Sequence, residues 1–254
     1  MKILLSLVGI LLVCYCAAAA YLSLNQRSFI YFPSRAVEHP HPVRTFESGG
    51  ETIEVVELNS GQQQAIIYFG GNAENVVFNA PEFLELFPAH TVYLVNYRGY
   101  GGSSGQPTEK SLYRDAETIF DAVNPDHAQL SVIGKSLGSG VASWLASVRN
   151  IDRLVLVTPY DSIARLAAAR YWMFPVEWLL QDKFDSISRA GEITAPSLII
   201  VAEHDRIIPP SHSMELAAAF PPAQIEVVTI KNTNHNSVTH DPAYHAALGG
   251  FFNP

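Results

Sequence analysis

Short apolar runs rich in β-branched residues alternate along this chain with longer stretches of helical periodicity. The runs near 53–58, 64–69, 92–97, 130–135, 153–158, 196–201 and 225–230 carry few charges, as strands buried on both faces do. Between or after them, segments near 75–87, 109–123, 137–148, 211–219 and 242–249 read as helices. Strands alternating with helices predict an α/β fold, a mostly parallel sheet flanked by helices. One stretch breaks the rhythm. Residues 161–192 hold Tyr171, Trp172, Met173, Phe174, Trp178, Leu179 and Leu180 between the runs at 153–158 and 196–201. They read as a short helical cap, its aromatics either lining an acyl pocket or packing a stripe on the sheet.

A different pattern occupies the N-terminus. Ile3 to Leu24 carries no charge. At about 1.5 Å per residue it is long enough to cross an apolar layer of about 30 Å. Lys2, a compact Leu/Val core and the small residues Ala17 to Ala20 would also suit a cleaved signal peptide. The apolar character continues through Tyr21 and Leu22, which favours an anchor over residues 1–25 and one domain over 26–254. Lys2 and the amino terminus argue for an inside N-terminus, whereas Arg27, Arg35 and Arg44 argue the opposite way. An extracytoplasmic domain is the preferred reading, and a secreted or periplasmic product of signal cleavage is the alternative. Gln26 to Pro33 reads as an aromatic interface belt with a short packing strand, and Pro33, Pro40 and Pro42 make the next stretch a loop. Both cysteines, Cys14 and Cys16, fall in the apolar segment, so no disulfide is expected in the rest. The net charge of −8 argues against a nucleic-acid partner.

Candidate chemistry begins at Gly134-Lys135-Ser136-Leu137-Gly138, between a β-branched run and a helix-forming one. A serine in G-x-S-x-G at a strand-to-helix turn is held with its hydroxyl exposed, which makes Ser136 the candidate nucleophile. The run Ser197 to Val201 leads into Asp205, and the run Ile225 to Ile230 leads into His235. In open α/β sheets reactive groups gather beyond the carboxyl ends of strands, and all three residues meet that condition. Glu203 and Asp161 rival Asp205 for the acid; His240, His204 and His212 rival His235. Lys135 reads as solvated beside the turn, and Tyr97 and Arg98 as structural. No Cys/His cluster has zinc spacing and no glycine loop has a phosphate-cradle ending, so neither metal nor cofactor is expected.

Taken together, five motifs occur in one order: Tyr68-Phe69-Gly70-Gly71-Asn72-Ala73, Asn96-Tyr97-Arg98-Gly99-Tyr100-Gly101, the Ser136 pentapeptide, Asp205 with Pro209, and Asn234-His235-Asn236. As a set they resemble the α/β-hydrolase superfamily over about residues 28 to 252. The resemblance is greatest to small, often membrane-anchored serine hydrolases that include ABHD-type depalmitoylases and bacterial relatives. It implies a Ser136–His235–Asp205 triad with an oxyanion hole made by the backbone amides of Asn72 and Leu137. Gly70 and Asn96 depart from the His and Asp that relatives carry there. The expected activity is cleavage of carboxylic esters or thioesters, on a small-molecule or lipid-like acyl substrate, through an acyl-enzyme. A peptidase with the same triad, or a catalytically silent ligand-binding member, are the alternatives.

Overall fold

The computed structural model describes residues 1–252. Its strands are β1 (Val43–Ser48), β2 (Glu51–Leu58), β3 (Gln64–Phe69), β4 (His90–Val95), β5 (Gln129–Lys135), β6 (Leu154–Val157), β7 (Ser197–Ala202) and β8 (Ile225–Ile230). They form one sheet in the order β1-β2-β4-β3-β5-β6-β7-β8. β2 runs antiparallel to both of its neighbours, and every pair from β4–β3 to β7–β8 is parallel. The helices are α1 (Lys2–Leu24), α2 (Gln26–Ile30), α3 (Ala80–Leu86), α4 (Glu109–Val123), α5 (Leu137–Val148), α6 (Ile163–Arg170), α7 (Val176–Leu179), α8 (Pro210–Ala218) and α9 (Pro242–Phe252).

The period-2 geometry of a strand explains why the central runs are apolar throughout. In β3, Ala65, Ile67 and Phe69 pack with residues of α4 and α5, while Ile66 and Tyr68 pack with α3 and α9 on the other face. Both faces are covered, so neither tolerates polar alternation. Register then sets the working edge. Phe69 pairs with Gly134, and Lys135 with Val157, so the chain leaves β3, β5 and β6 side by side.

Two local expectations are corrected, and one strand is added. The stretch through Pro33, Pro40 and Pro42 is a loop as read, but the strand that follows it was not anticipated: Val43–Ser48 forms β1 and turns through Gly49-Gly50 into β2. Both glycines have positive φ, 56° and 82°, as a tight hairpin requires. β1 is an edge strand that buries only Phe46 and Ser48, so its apolar signal is weak. Gln26–Ile30 is helical rather than a strand, since it continues α1 after a single break at Asn25. The helix anticipated over 75–87 is a 3-10 turn, Val76–Asn79, and then α3, which restarts with Pro81 in its first turn.

Residues 161–192 leave the sheet as α6, α7 and a 3-10 turn, Ile187–Glu192. Ser162 starts α6 by accepting from the Arg165 amide. Under this segment Phe184 is fully buried, whereas Trp172 and Trp178 are 79% and 88% exposed.

Arg98, in the turn after β4, is buried with Asp115 of α4; its Nε and Nη2 donate to the two carboxylate oxygens, each at 2.6 Å. Nη2 also donates to the Ser48 carbonyl, so one guanidinium joins β1, α4 and the β4 turn. Its reading as structural agrees with these contacts. Arg98→Met leaves a buried carboxylate without a cation and should cost about 3–5 kcal/mol of folding stability. Urea unfolding monitored by circular dichroism checks this, and a change under about 1 kcal/mol would contradict it.

Candidate active site

Ser136 sits between β5 and α5 at φ 51° and ψ −115°, a backbone state that costs a non-glycine residue about 1–3 kcal/mol. The surroundings fix it there. Its amide donates to the Val157 carbonyl at 2.9 Å, and its carbonyl accepts from the Ser139 amide and hydroxyl at 2.9 and 2.7 Å. A Cβ on Gly138 would fall on the Phe69 carbonyl, and one on Gly134 would fall on the Gly138 carbonyl and Ala142. Only glycines let α5 come this close to β3 and β5.

Asp205 follows β7, where its Oδ1 accepts from the amides of Ile207 and Ile208, both at 2.8 Å. Its Oδ2 lies 2.6 Å from His235 Nδ1, and His235 Nε2 lies 2.9 Å from Ser136 Oγ. A carboxylate only accepts, so the ring proton is on Nδ1 and Nε2 is free to accept from the serine hydroxyl. All three side chains are buried. The three residues anticipated from the sequence thus form one hydrogen-bonded chain.

The rivals are engaged elsewhere. Asp161 Oδ1 accepts from the Ser162 amide and lies 2.8 Å from His212 Nδ1, tying the entry of α6 to α8. Glu203 accepts from Lys231 Nζ and the Asn232 amide, both at 2.9 Å, and so braces the loop that carries His235. Those two donors hold its carboxyl below the ordinary 4.5. His240 lies in a 3-10 turn before α9, and His204 is solvent-exposed.

Asn72 and Leu137 flank Ser136 at the floor of a cavity of about 400 Å³. Tyr160 sends its hydroxyl to the Leu137 carbonyl at 3.0 Å. The Asn72 side chain takes an unanticipated part: Oδ1 accepts from the Phe32 amide and the Tyr100 hydroxyl, and Nδ2 donates to the Ile30 carbonyl at 2.6 Å. The chain leaving α2 is therefore stitched to the residue whose amide is the candidate oxyanion donor.

A second feature was not foreseen. Glu74 is folded under its own loop and accepts from Tyr68 Oη (2.6 Å), the Gly71 amide (2.9 Å) and Asn79 Nδ2 (2.6 Å). Lys135, adjacent to the serine, completes the set at 3.1 Å, so it is paired rather than solvated. The sequence shows an acid near a Gly-Gly turn and a lysine beside the serine; nothing local links residues that far apart. Burial alone would raise the Glu74 carboxyl, yet the Lys135 ammonium and the three donors hold it below 4.5.

The remaining wall of the cavity is apolar. Ile163 and Leu166 of α6, Tyr171, Phe174 and Leu179 line it, so part of the cap's aromatic set serves the cavity. Its opposite side is Leu22, Ser23 and Gln26 with Phe29 and Ile30.

Comparison with known proteins agrees with this architecture. The family model for the alpha/beta hydrolase fold matches residues 64–188. An uncharacterized protein of Mycobacterium tuberculosis is 32% identical over 229 residues, covering 84% of this chain and 81% of that one. The alpha/beta hydrolase domain-containing protein 17C of Xenopus tropicalis is 25% identical over 232 residues, covering 87% and 72%. An esterase of Pyrococcus furiosus superposes with a TM-score of 0.70 at 17% identity, over 87% of this chain and 97% of its own. The chain belongs to the alpha/beta-hydrolase fold family. That membership supports a hydrolase, while the bond cleaved is a matter for the site.

Because folding depresses the Glu74 carboxyl, its contribution is complete above its unfolded value and is lost as pH falls through the lower folded one. Glu74→Gln should therefore lower the unfolding midpoint at neutral pH. The difference from wild type should shrink once pH falls below the ordinary 4.5. Midpoints measured across the acid range check this; a difference independent of pH would contradict it.

Proposed function

We propose that the protein is a serine hydrolase of carboxylic esters or thioesters, working through Ser136, His235 and Asp205. The observation that carries the reading is the unbroken Ser136–His235–Asp205 hydrogen-bond chain at the floor of an apolar cavity. His235 Nε2 takes the hydroxyl proton as Ser136 Oγ attacks the acyl carbonyl. Asp205, held by two backbone amides, keeps the tautomer and stabilises the imidazolium without being protonated. The developing oxyanion is received by the amides of Asn72 and Leu137, the latter at the N-terminus of α5. His235 returns its proton to the leaving group, and a water activated by the same nitrogen then cleaves the acyl-enzyme.

The cavity supports an acyl chain of some length. Its volume lies at the lower end of ligand sites, about 300–1,000 Å³, and its walls are Ile, Leu, Phe and Tyr. Ester and thioester bonds are preferred to amides because relatives by fold include an esterase. We read α1 as an uncleaved membrane anchor. In its support, α1 is 23 residues long with none buried, and Tyr15, upstream of the small residues Ala17 to Ala20, stacks on Phe174 at 5.1 Å. We place the catalytic domain on the extracytoplasmic side, the orientation that Lys2 and the amino terminus favour.

Fluorophosphonate labelling of the detergent-solubilised full chain should occur in wild type and vanish in Ser136→Ala. Ester turnover in that variant should fall by about 10⁴-fold or more. Octanoyl esters should exceed acetyl esters in kcat/KM by roughly tenfold, a fraction of what burial of the extra methylenes offers. An acetyl optimum would contradict the acyl pocket. A folded wild type that is never labelled would contradict the hydrolase itself.

A further inference from the structure

The N-terminal helix is attached to the cap at two levels. Near its end, Ser23 Oγ and Gln26 Nε2 both donate to the Leu179 carbonyl, at 3.3 and 3.2 Å, and the Gln181 amide donates to Gln26 Oε1 at 2.6 Å. Two turns earlier, Tyr15 Oη donates to the Met173 carbonyl at 2.8 Å and its ring stacks on Phe174. Tyr15 and Ser23 are about 12 Å apart along a helix rising 1.5 Å per residue. The cap therefore lies along α1 rather than below it. Around this contact the surface is aromatic and apolar: Trp172, Trp178, Met173, Tyr21 and Leu24 are all strongly exposed. Trp and Tyr with one apolar side favour the boundary of a bilayer.

These observations assign a place to the cavity mouth. If α1 spans a bilayer, the edge of the cap from Tyr171 to Leu179, which reaches Tyr15 midway along the span, is drawn into the adjoining leaflet, and the cavity behind it shares its walls with α1 and α2. Leu22 and Phe29 on one side face Phe174 and Leu179 on the other. Gln26 and Ser23, the polar residues in that wall, are both paired with the cap: both ends of the buried Gln26 amide are satisfied there and Ser23 Oγ donates to the Leu179 carbonyl, so neither presents an unpaired group to a chain.

We propose that the substrate is an acyl lipid of the adjoining leaflet, and that its chain enters sideways between α1 and the cap to reach Ser136. This rests on the serine-hydrolase reading above. The exposed aromatics seat the cap, and Leu22 with Phe29 forms a permanent wall of the acyl site. The route spares the chain passage through water, where every methylene is unfavourably hydrated. It also makes α1 part of the substrate site as well as a tether. Through Ile30 and Phe32, the same segment holds the Asn72 side chain beside the serine.

The test uses the full chain reconstituted in phosphatidylcholine vesicles. It compares 4-methylumbelliferyl palmitate dissolved in the bilayer with water-soluble 4-methylumbelliferyl butyrate. Leu22→Trp, which fills the cavity from α1, should lower the palmitate-to-butyrate ratio about tenfold. Leu11→Trp, on α1 away from the cavity, should leave the ratio unchanged. The double variant Trp172→Ser, Trp178→Ser lies outside the cavity; it should slow palmitate about tenfold and leave butyrate turnover as in wild type. An unchanged ratio in Leu22→Trp would overturn the wall, and an unchanged palmitate rate in the Trp pair would overturn the interfacial seat. Equal turnover of a water-soluble S-palmitoyl peptide without vesicles would overturn the lateral route in favour of a protein substrate. A wild type that neither hydrolyses butyrate nor reacts with fluorophosphonate would remove the hydrolase reading, and this proposal with it.

Discussion

Everything at the site depends on how closely α5 approaches the carboxyl ends of β3 and β5. Gly138 lies where a side chain would meet the Phe69 carbonyl, and Gly134 where one would meet the helix behind it. That approach leaves Ser136 no choice but a left-handed backbone, and the Val157 carbonyl and the first turn of α5 hold it there. The strain is repaid by the packing of β5 and α5 in the core. From this one constraint the rest follows in order. The serine hydroxyl is lifted to the sheet edge, the amide of Leu137 heads a helix, and the Gly70–Asn75 loop lies alongside because β3 pairs with β5 in register.

A second set of contacts makes the site stiff. Asp205 is locked by two amides before it meets His235, and Glu203 ties down the loop that delivers the histidine. On the other side, Glu74 pulls Tyr68, Gly71, Asn79 and Lys135 to one point under the glycine loop. Glu203 and Glu74 touch neither Ser136 Oγ nor His235; on the serine-hydrolase reading they keep donors and acceptors in place before a substrate arrives, which is where electrostatic catalysis draws its advantage.

Much of this was legible in the chain because it is written in short-range signals. Continuous β-branched runs marked the central strands, and Ser136, Asp205 and His235, just past three of them, could be picked as candidates that the fold brings into hydrogen-bond contact. β1 was missed because an edge strand buries two side chains and its alternation is nearly lost. The helix at Gln26–Ile30 was mistaken for a strand because Phe-Ile-Tyr-Phe has β propensity, which the continuing helix and the cap contacts override. Lys135 was misread for a related reason: its partner lies on a loop brought near only by the register of β3 and β5. The wall that α1 contributes to the cavity was equally hidden, since nothing local connects Leu22 or Gln26 to Leu179.

On the lateral-entry reading, the N-terminal segment, the cap and the serine form a single working unit. The most direct measurement is a crystal structure of the full chain inactivated with a long-chain alkylphosphonate. The account predicts phosphorus bonded to Ser136 Oγ, the phosphonyl oxygen within hydrogen-bond reach of the Asn72 and Leu137 amides, and the alkyl chain lying between Leu22, Phe174 and Leu179. Phosphorus on another residue, or an alkyl chain leaving Ser136 away from α1, would contradict it.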